Sequence, residues 1–335
     1  MKRLKVGVIG LGRMGQHHCR VYSFQKEVKL VGVYDTNLQV AKETSGKYDV
    51  PEYLRLDDLL EQVEAVSIAT PTPTHFDIAM RCLERKIHVL IEKPVTEKVE
   101  DAEQLAKYVQ ENGNIVQVGH IERFNPTYVE LTKVLENIKV IAINFRRLSP
   151  YRVSNKDVDV VLDLMVHDLD LCNDITGIDP TEVNAYGLQP FSSSLDHVVA
   201  QLFYSNGPLI TLTASRVTEQ KIRSVDVTSN DAFIEADFMN KNISIHRGST
   251  GEYSARRNGV SYHQESIIER ILVPNVEPLS LEIKQFLDCI TQDCKPRVSI
   301  IDGLKALRLA HQICTLVNEQ NQKYAYLPEY SIQKV

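Results

Sequence analysis

The sequence predicts an α/β chain in two parts. These are a Rossmann domain with a parallel, doubly wound sheet over residues 1–120, and an α+β domain with a large, mostly antiparallel sheet over residues 121–335. In the first part, short runs rich in valine and isoleucine alternate with helical segments, which is typical of a buried parallel sheet. In the second part, strand-like stretches follow one another with little helix between them, which indicates antiparallel pairing.

Hydrophobic periodicity and end signals predict the individual elements. In the first domain we predict strands at 5–9, 30–34, 65–69, 87–91 and 115–118, and helices that include 38–48, 56–62 and 99–112. In the second domain we predict helices at 125–138 and 158–175, and strands at 140–147, 182–186, 197–204, 209–216, 222–228, 232–237 and 242–247. Residues 248–262 are predicted to form a polar loop, and helices at 279–291 and 301–319 can pack back on the first domain.

The first strand runs directly into the glycine motif Gly10-x-Gly12-x-x-Gly15. Gly10 permits a tight turn, Gly12 lets the backbone approach a pyrophosphate, and Gly15 lets the next helix lie close to the strand. The N-terminus of that helix directs its free N–H groups at the pyrophosphate. Asp35 ends the second strand, twenty residues after Gly15, where a carboxylate accepts hydrogen bonds from an adenosine ribose. Together these features predict a dinucleotide site rather than a glycine turn without a ligand.

Asp35 also bears on which dinucleotide binds. A carboxylate repels a 2′-phosphate, and the following Thr36 and Asn37 are neutral, so the sequence favours NAD over NADP. Arg13 and Met14, inside the glycine motif, are further candidates for contact with the cofactor.

The composition is that of a soluble globular protein, with 335 residues, 43% apolar and 24% charged. The net charge of −6 offers no basic field for nucleic acid or an anionic membrane. No apolar run approaches the ~20 residues of a membrane span, and the first residues lead at once into a strand, so we predict no targeting segment. The six cysteines form no CxxC pair, which favours reduced thiols in the cytoplasm over a zinc site or a disulfide framework.

Polar residues follow two more predicted strands at their carboxyl ends, where ligands bind in doubly wound sheets. The first group contains Thr70, Pro71, Thr72 and His75, and the second contains Glu92, Lys93 and Pro94. Proline biases the preceding residue toward extended geometry and permits a cis bond, so Lys93 would project into the crevice beside the cofactor. Taken alone, a lysine at a strand end is more often a surface residue.

Acidic residues and one histidine recur along the predicted helix at 158–175. The set is Asp159, Asp163, His167, Asp170 and Asp174. Helical spacing places them in one narrow polar stripe on an otherwise apolar helix, so we expect a mostly buried helix whose stripe lines a cleft. Asp163 and His167 are one turn apart, and the carboxylate can orient the imidazole and raise its proton affinity. On this pattern alone, a structural histidine is the better interpretation of His167.

The stretch GVIGLGRMG, the tripeptide Glu92-Lys93-Pro94 and the Asp163-x-x-x-His167 helix, in this order, resemble the Gfo/Idh/MocA oxidoreductases. The resemblance spans nearly the whole chain. It implies an NAD(P)-dependent oxidoreductase in which a Rossmann domain is joined to an open-faced, mostly antiparallel sheet domain. It also implies a homo-oligomer, either a dimer or a tetramer.

Two further stretches, GHIERFNP (119–126) and RRLSP (146–150), precede DVVLDLMVHDLDL (159–171). They look like the branch of the family that oxidises the sugar 3-hydroxyl of UDP-N-acetylglucosamine or its relatives. Many other relatives have a glycine-rich run before the helical Asp-x-x-x-His, and residues 157–162 replace that run here. This departure weakens any transfer of function from inositol or glucose enzymes.

The resemblance implies a role for each candidate residue. Lys93 would hydrogen-bond the reacting hydroxyl, His167 or Lys93 would remove its proton, and Asp163 would orient His167. Glu92 would contact the cofactor or position Lys93. The substrate side would include His120, Arg123 and Asn125, with Arg146, Arg147 and Tyr151 at a diphosphate or uracil. For these last three, surface charges at a strand end are an equal alternative. No metal is expected, because no cluster of ligands has suitable spacing.

Three functions remain open. A dehydrogenase acting at the 3-hydroxyl of a UDP-sugar is favoured, and a dehydrogenase of a free polyol such as an inositol shares its chemistry. The third is an NAD-dependent glycosidase or a nucleotide sensor without chemistry. The presence of Lys93 together with Asp163 and His167 argues against the sensor.

Overall fold

The computed structural model describes residues 3–151, 158–248, 252–256, 259–263 and 267–323. The chain forms two compact units, each made of two segments. As far as these ranges are described, the first unit contains Met1–Phe124 and Val276–Arg308, and the second contains Asn125–Asn275 and Leu309–Val335.

A parallel sheet forms the centre of the first unit. Its described strands are β1 (Leu4–Ile9), β2 (Val28–Tyr34), β3 (Ala65–Ile68), β4 (His88–Glu92) and β5 (Val116–Gly119). They lie in the order β2-β1-β3-β4-β5, and each pairing is parallel. The helices between them are α1 (Arg13–Phe24), α2 (Leu38–Tyr48), α3 (Leu56–Leu60), α4 (His75–Leu83) and α5 (Val99–Asn112). This arrangement confirms the predicted doubly wound Rossmann domain.

A larger sheet forms the second unit. Its described strands are β6 (Val140–Leu148), β7 (Glu182–Leu188), β8 (His197–Phe203), β9 (Leu209–Ser215), β10 (Ile222–Ser229), β11 (Ala232–Asp237), β12 (Asn242–Arg247) and β15 (Ile267–Leu272), and a separate pair is formed by β13 (Glu252–Arg256) and β14 (Gly259–His263). The large sheet has the order β15-β12-β11-β10-β6-β9-β8-β7. Within it β6 and β9 pair in parallel, and the other pairings are antiparallel. The mostly antiparallel sheet is therefore confirmed.

Helices cover one face of this sheet. They are α6 (Pro126–Leu135), a π-helical turn at Val161–Met165 that leads into α7 (Val166–Thr176), and the part of the C-terminal helix from Leu309 onward. Tyr128 and Leu169 from these helices pack in one apolar cluster with Ile143 and Phe145 of β6. Along β6, Asn144 and its alternate neighbours point to the other face, as period-2 geometry requires. Within the described parts of the chain, no helix is long and apolar enough to span a membrane.

The two C-terminal helices are α8 (Pro278–Gln292) and α9 (Ile300–Lys323). Four buried side chains of α8 join the apolar core of the first unit, namely Leu279, Ile283, Phe286 and Leu287. On β5, Gln117 Nε2 donates to the carbonyl oxygen of Glu282 in α8 at 3.0 Å. The first unit therefore includes a helix that lies far from it in sequence.

Two predictions for the second unit are wrong. Residues 158–175 do not form one continuous α-helix, because the chain makes the π turn at Val161–Met165 before α7 begins. The predicted loop at 248–262 contains, where it is described, most of the antiparallel pair β13 and β14. Strand β15 was also missed, because its sequence, IIERIL, lacks strict apolar–polar alternation.

A buried ion pair fixes the segment that leads into the π turn. Arg216 Nε donates to Asp196 Oδ1, and Arg216 Nη1 donates to the carbonyl oxygen of Val158, each at 2.6 Å. Asp196 also accepts from the backbone N–H groups of Phe191 and Ser192, at 2.8 and 3.0 Å. Burial raises the pKa of the Asp196 carboxyl, but these donors and Arg216 outweigh burial and hold the pKa below its ordinary value.

We expect Arg216→Met to lower the free energy of unfolding by about 3–5 kcal/mol, because it leaves a buried carboxylate without its cation. The matched control is Lys284→Met, which removes an exposed ion pair with Asp288 at 2.7 Å. An exposed pair of this kind contributes less than about 0.5 kcal/mol. Urea unfolding followed by circular dichroism measures both changes. Equal, small losses in the two variants would show that the Arg216 pair does not stabilise the fold.

Candidate active site

The loop between β1 and α1 has the geometry of a phosphate-binding turn. Gly10 has a φ of +83°, which glycine adopts without strain, and its N–H donates to the carbonyl oxygen of Tyr34 at 2.9 Å. A Cβ on Gly15 would lie 1.9 Å from the Gly10 carbonyl oxygen, so only glycine lets α1 pack here. Beside Gly12, no heavy atom lies within 4 Å of the corresponding Cβ position. Open space therefore lies where α1 presents its N-terminal N–H groups.

Asp35, after the end of β2, holds this turn in place. Its Oδ2 accepts from the N–H of Leu11 at 2.7 Å, and its Oδ1 accepts from the N–H of Asn37 at 2.8 Å. An ionised carboxylate has about four acceptor positions. Asp35 can therefore fix the turn and still accept hydrogen bonds from two ribose hydroxyls.

A pocket of about 700 Å³ opens beside the turn, within the first unit. Of the predicted cofactor residues, it is lined by Gly10, Gly12, Asp35, Thr70 and Pro71. Several other residues that were not predicted also line it, among them Tyr34, Leu56, Ile78 and Arg81. Leu56 and Ile78 supply apolar walls of the kind that hold an adenine ring. Most of these residues lie on α3 and α4, and no motif in the glycine turn indicates which of their side chains face the pocket.

His75, the first residue of α4, connects two loops at the carboxyl edge of the sheet. Its Nδ1 lies 2.9 Å from the carbonyl oxygen of Pro94, and its Nε2 lies 2.9 Å from that of Thr70. Burial lowers the pKa of His75, although both carbonyl oxygens act in the opposite direction. The ring nitrogens are thus directed at the protein backbone, and the described pocket does not include His75.

The remaining cofactor candidates lie near the same edge. Arg13 and Met14 occupy the first turn of α1, and Thr72 begins a 3₁₀ turn that ends at Thr74. Glu92 is the last residue of β4, and its Oε1 lies 3.0 Å from Nε2 of His18, which is buried and which sequence analysis missed.

Lys93 follows β4 directly and is half-buried. The peptide bond between Lys93 and Pro94 is cis. In the sheet order, β4 lies beside β3, which lies beside β1, and all three are parallel. Lys93 therefore lies on the same edge of the sheet as the glycine turn, where doubly wound sheets bind their ligands.

The predicted substrate residues around the end of the first unit all have structural contacts. His120 is buried, and its N–H donates to the carbonyl oxygen of Val118 at 2.8 Å. Arg123 is also buried and lies 3.6 Å from Asp302. Asn125 caps α6, because its side-chain oxygen accepts from the N–H of Thr127 at 3.0 Å.

In the second unit, Asp163 lies in the π turn and His167 is the second residue of α7, and both are half-buried. The next residue, Asp168, is buried and forms a forked ion pair with Arg147 of β6. Arg147 Nε lies 3.0 and 2.9 Å from the two Asp168 oxygens, and Arg147 Nη2 lies 2.7 Å from Oδ1. This pair fixes the start of α7 against the sheet, and sequence analysis missed Asp168 as a partner.

The predicted single polar stripe is wrong, because the π turn changes the helical phase within it. The ends of the stripe bind other parts of the second unit. Asp159 Oδ1 accepts from the N–H of Leu195 at 2.7 Å, and Asp174 Oδ2 accepts from the hydroxyl of Tyr128 at 2.6 Å. Asp170 has no exposed surface.

The structure separates the two predicted arginines of β6. Arg147 is buried against Asp168, whereas Arg146 points to the opposite face of the sheet, where it lies 3.4 Å from Asp226. The strand alternation that produces this separation was available in the sequence. Tyr151 is half-buried, and its ring centroid lies 5.3 Å from that of Phe191. Among the described residues, no group of three or more histidine, cysteine or acidic side chains could hold a metal ion.

Family comparisons agree with this architecture. The model of the oxidoreductase family with an NAD-binding Rossmann fold matches residues 4–120, and the model of that family's C-terminal alpha/beta domain matches residues 128–325. The chain belongs to the Gfo/Idh/MocA oxidoreductase family. The family resemblance noted in the sequence is therefore confirmed.

Several proteins are similar to this Gfo/Idh/MocA chain over nearly its full length. UDP-N-acetylglucosamine 3-dehydrogenase of Acidithiobacillus ferrooxidans is 31% identical over 93% of this chain and 97% of its own. A solved structure of that enzyme has a TM-score of 0.85 at 30% identity, covering 95% of this chain and 99% of the other. The scyllo-inositol 2-dehydrogenase (NAD(+)) of Bacillus subtilis is 26% identical over 90% of each chain. GenD2 from gentamicin A biosynthesis, solved with NAD, shares the fold with a TM-score of 0.79 at 20% identity, over 96% of this chain and 95% of its own.

We expect Gly12→Ala to weaken dinucleotide binding about tenfold without a change in melting temperature, because its methyl group would enter the open space beside the turn. Gly15→Ala should instead lower the melting temperature, because its methyl group would collide with the Gly10 carbonyl oxygen. Gly46→Ala is the control, since a Cβ there also meets nothing within 4 Å and should not affect binding. Titration of NADH fluorescence and thermal melting measure these effects. Unchanged affinity in Gly12→Ala would contradict the assignment of this turn.

Proposed function

We propose that this oxidoreductase oxidises the 3-hydroxyl of UDP-N-acetylglucosamine, or of a closely related UDP-sugar, with NAD⁺ as the oxidant. The observation that carries the proposal is the likeness to UDP-N-acetylglucosamine 3-dehydrogenase over 97% of that enzyme. The stretches at 119–126 and 146–150, which look like that branch of the family, support the same substrate class.

The choice of NAD⁺ rests on Asp35. Its carboxylate lines the pocket beside the glycine turn and would repel the 2′-phosphate of NADP. The fit of the group is supported by the open space beside Gly12 and by the apolar walls of the pocket at Leu56 and Ile78. When bound, NAD⁺ supplies the hydride acceptor, and the protein supplies orientation and proton transfer.

We assign Lys93 to the reacting hydroxyl. Its position after β4, at the ligand-binding edge of the parallel sheet, supports this role. An ammonium group that hydrogen-bonds the hydroxyl oxygen stabilises the negative charge that develops there as the proton leaves.

We assign His167 to proton transfer as well, with Asp163 as the group that orients its ring. The π turn that carries Asp163 supports this proposal, because such turns occur frequently at functional sites. Either His167 or Lys93 accepts the hydroxyl proton, and the variants described below distinguish the two.

For the substrate we keep His120, Arg123, Asn125 and Tyr151 as candidates. We do not assign the diphosphate to Arg146 and Arg147 together, because these side chains lie on opposite faces of β6 and each has an acidic partner. We also propose a cytoplasmic homo-oligomer. The exposed Tyr186 and Phe203 on the large sheet support association, and the molar mass from light scattering tests it.

A second candidate function is oxidation of a free polyol. It is favoured by the likeness to the scyllo-inositol 2-dehydrogenase of Bacillus subtilis, at 26% identity. The two functions share their hydride chemistry and differ in whether the protein binds a uridine nucleotide.

We expect UDP alone to raise the melting temperature of the protein if the substrate is a UDP-sugar, because a ligand that binds only the folded state stabilises it. A free inositol should then have no effect at the same concentration. Stabilisation by the inositol but not by UDP would favour the second candidate.

A turnover assay tests the NAD-dependent glycosidase. NADH absorbance that rises in step with the oxidised sugar shows net oxidation and excludes the glycosidase.

We expect His167→Asn to bind NADH normally and to lower kcat by a factor of about 10²–10⁴, which is the usual contribution of a general acid–base group. Lys93→Met should cause a loss of similar size. The group that accepts the proton is the one whose replacement removes the ionisation from the pH profile of kcat. His246→Asn, on β12 of the large sheet, is the control. Turnover near the wild-type rate in His167→Asn would remove His167 from the mechanism.

A further inference from the structure

A buried chain of hydrogen bonds ends on Glu92, the residue that precedes Lys93. His18 of α1 has no exposed surface, and its Nε2 lies 3.0 Å from Glu92 Oε1. Its Nδ1 lies 2.9 Å from Ser67 Oγ of β3, which in turn lies 2.9 Å from the hydroxyl of Tyr22. The chain Tyr22–Ser67–His18–Glu92 therefore connects α1, β3 and β4 within the first unit.

The direction of donation along this chain follows from its two ends. Burial raises the pKa of Tyr22, so the phenol keeps its proton. Because a carboxylate only accepts, one order satisfies each member: Tyr22 donates to Ser67, Ser67 donates to His18 Nδ1, and His18 Nε2–H donates to Glu92. In the other neutral tautomer, His18 would direct a lone pair at the carboxylate. The chain thus supplies Glu92 with a fixed donor that water does not reach.

Gly119 lies beside the Glu92 carboxylate. It pairs with Glu92 across β4 and β5, and a Cβ on Gly119 would lie 3.2 Å from both Cδ and Oε2 of Glu92. The absence of a side chain at Gly119 therefore makes room for the carboxylate. His18 thus contacts one oxygen of the carboxylate, and the missing side chain at Gly119 leaves space for the other.

We propose that His18 is a positioning residue, which holds Lys93 in place by fixing Glu92 at the carboxyl end of β4. This inference rests on the proposed function, in which Lys93 contacts the reacting hydroxyl. Movement of Glu92 would move the backbone from which the long Lys93 side chain leaves, and a misplacement of about 1 Å in a reacting group can cost 10²-fold in rate.

A gain in folding stability does not by itself explain this buried chain of hydrogen bonds. Buried polar groups gain little over apolar side chains of the same shape, and they cost free energy when any member lacks its partner. Three polar side chains, Tyr22, Ser67 and His18, nevertheless lie in a region where Val8, Cys19 and Leu90 are apolar and buried. The polar chain is therefore better explained by the carboxylate that it holds.

Two substitutions distinguish the roles of the two ring nitrogens of His18. His18→Gln places an amide near the former Nε2 and keeps a donor for Glu92, whereas His18→Asn places an amide near the former Nδ1 and leaves Glu92 without that donor. We expect His18→Asn to lower kcat about tenfold or more, with an unchanged Kd for NADH, and His18→Gln to retain most of the activity. His17→Asn, at an exposed position of the same helix, is the control. Equal kcat values for His18→Asn and His18→Gln would overturn the proposal.

Gly119→Ala tests whether the position of the Glu92 carboxylate matters, and it leaves His18 in place. This variant replaces His18→Asn as the test if His18→Asn does not fold. Its methyl group would press on Glu92, so we expect kcat to fall while the Kd for NADH stays unchanged. Wild-type kcat in Gly119→Ala would count against the role of Glu92.

A chemical measurement tests the position of Lys93 without turnover. We expect acetic anhydride, followed by mass spectrometry, to acetylate Lys93 faster in His18→Asn and Gly119→Ala than in wild type, because the strand end is no longer held. The exposed Lys98 is the internal reference and should react at one rate in all variants. If the wild-type protein oxidises no UDP-sugar, the proposed function fails. The labelling rates would still show whether His18 and Glu92 hold Lys93 in place. Equal labelling of Lys93 in all variants would overturn the positioning role.

Discussion

Hydrogen bonds from side chains to the loops at the carboxyl edge of the parallel sheet are the constraint on which the candidate cofactor site depends. Where parallel strands end side by side, the loops that follow contain backbone N–H and C=O groups that have no partner in the sheet. Asp35 accepts from the backbone of the glycine turn, and the His75 ring lies between carbonyl oxygens of the loops after β3 and β4. At the end of β4, Glu92 contacts the buried His18 of α1. Residues that sequence motifs suggest as ligand contacts thus also shape the loops that surround the candidate site.

The second unit uses buried ion pairs for the same purpose. Arg216 and Asp196 fix the chain before the π turn, and Arg147 and Asp168 fix the start of α7 after it. Such pairs add little net stability compared with apolar packing, but they impose one geometry because each charge must keep its partner. The π turn lies between these two anchors, so an irregular helical segment is held in a defined position.

Much of the fold could be predicted because its signals are local. The bounds of α2 and α5 were predicted to the residue, since Asn37 caps the first and Gly113 ends the second in the left-handed conformation. The π turn could not be predicted, because one inserted residue leaves an apolar pattern that also fits an α-helix. His18 was missed for another reason: a histidine inside an apparently regular helix gives no local sign of a partner 74 positions away. The grouping of Arg146 with Arg147 was an avoidable error, because adjacent residues of a strand point to opposite faces.

The two residues assigned to proton transfer have similar surroundings. Lys93 directly follows Glu92, which His18 holds, and His167 directly precedes Asp168, which Arg147 holds. In each case a half-buried, titratable side chain is next in sequence to an acid whose position is fixed by a buried, charge-assisted contact. The acid next to each candidate therefore has a fixed partner, while the side chain of the candidate stays partly accessible. Proton transfer in a hydride-transfer enzyme requires this combination, because the reacting groups must be placed closely and must still reach the substrate.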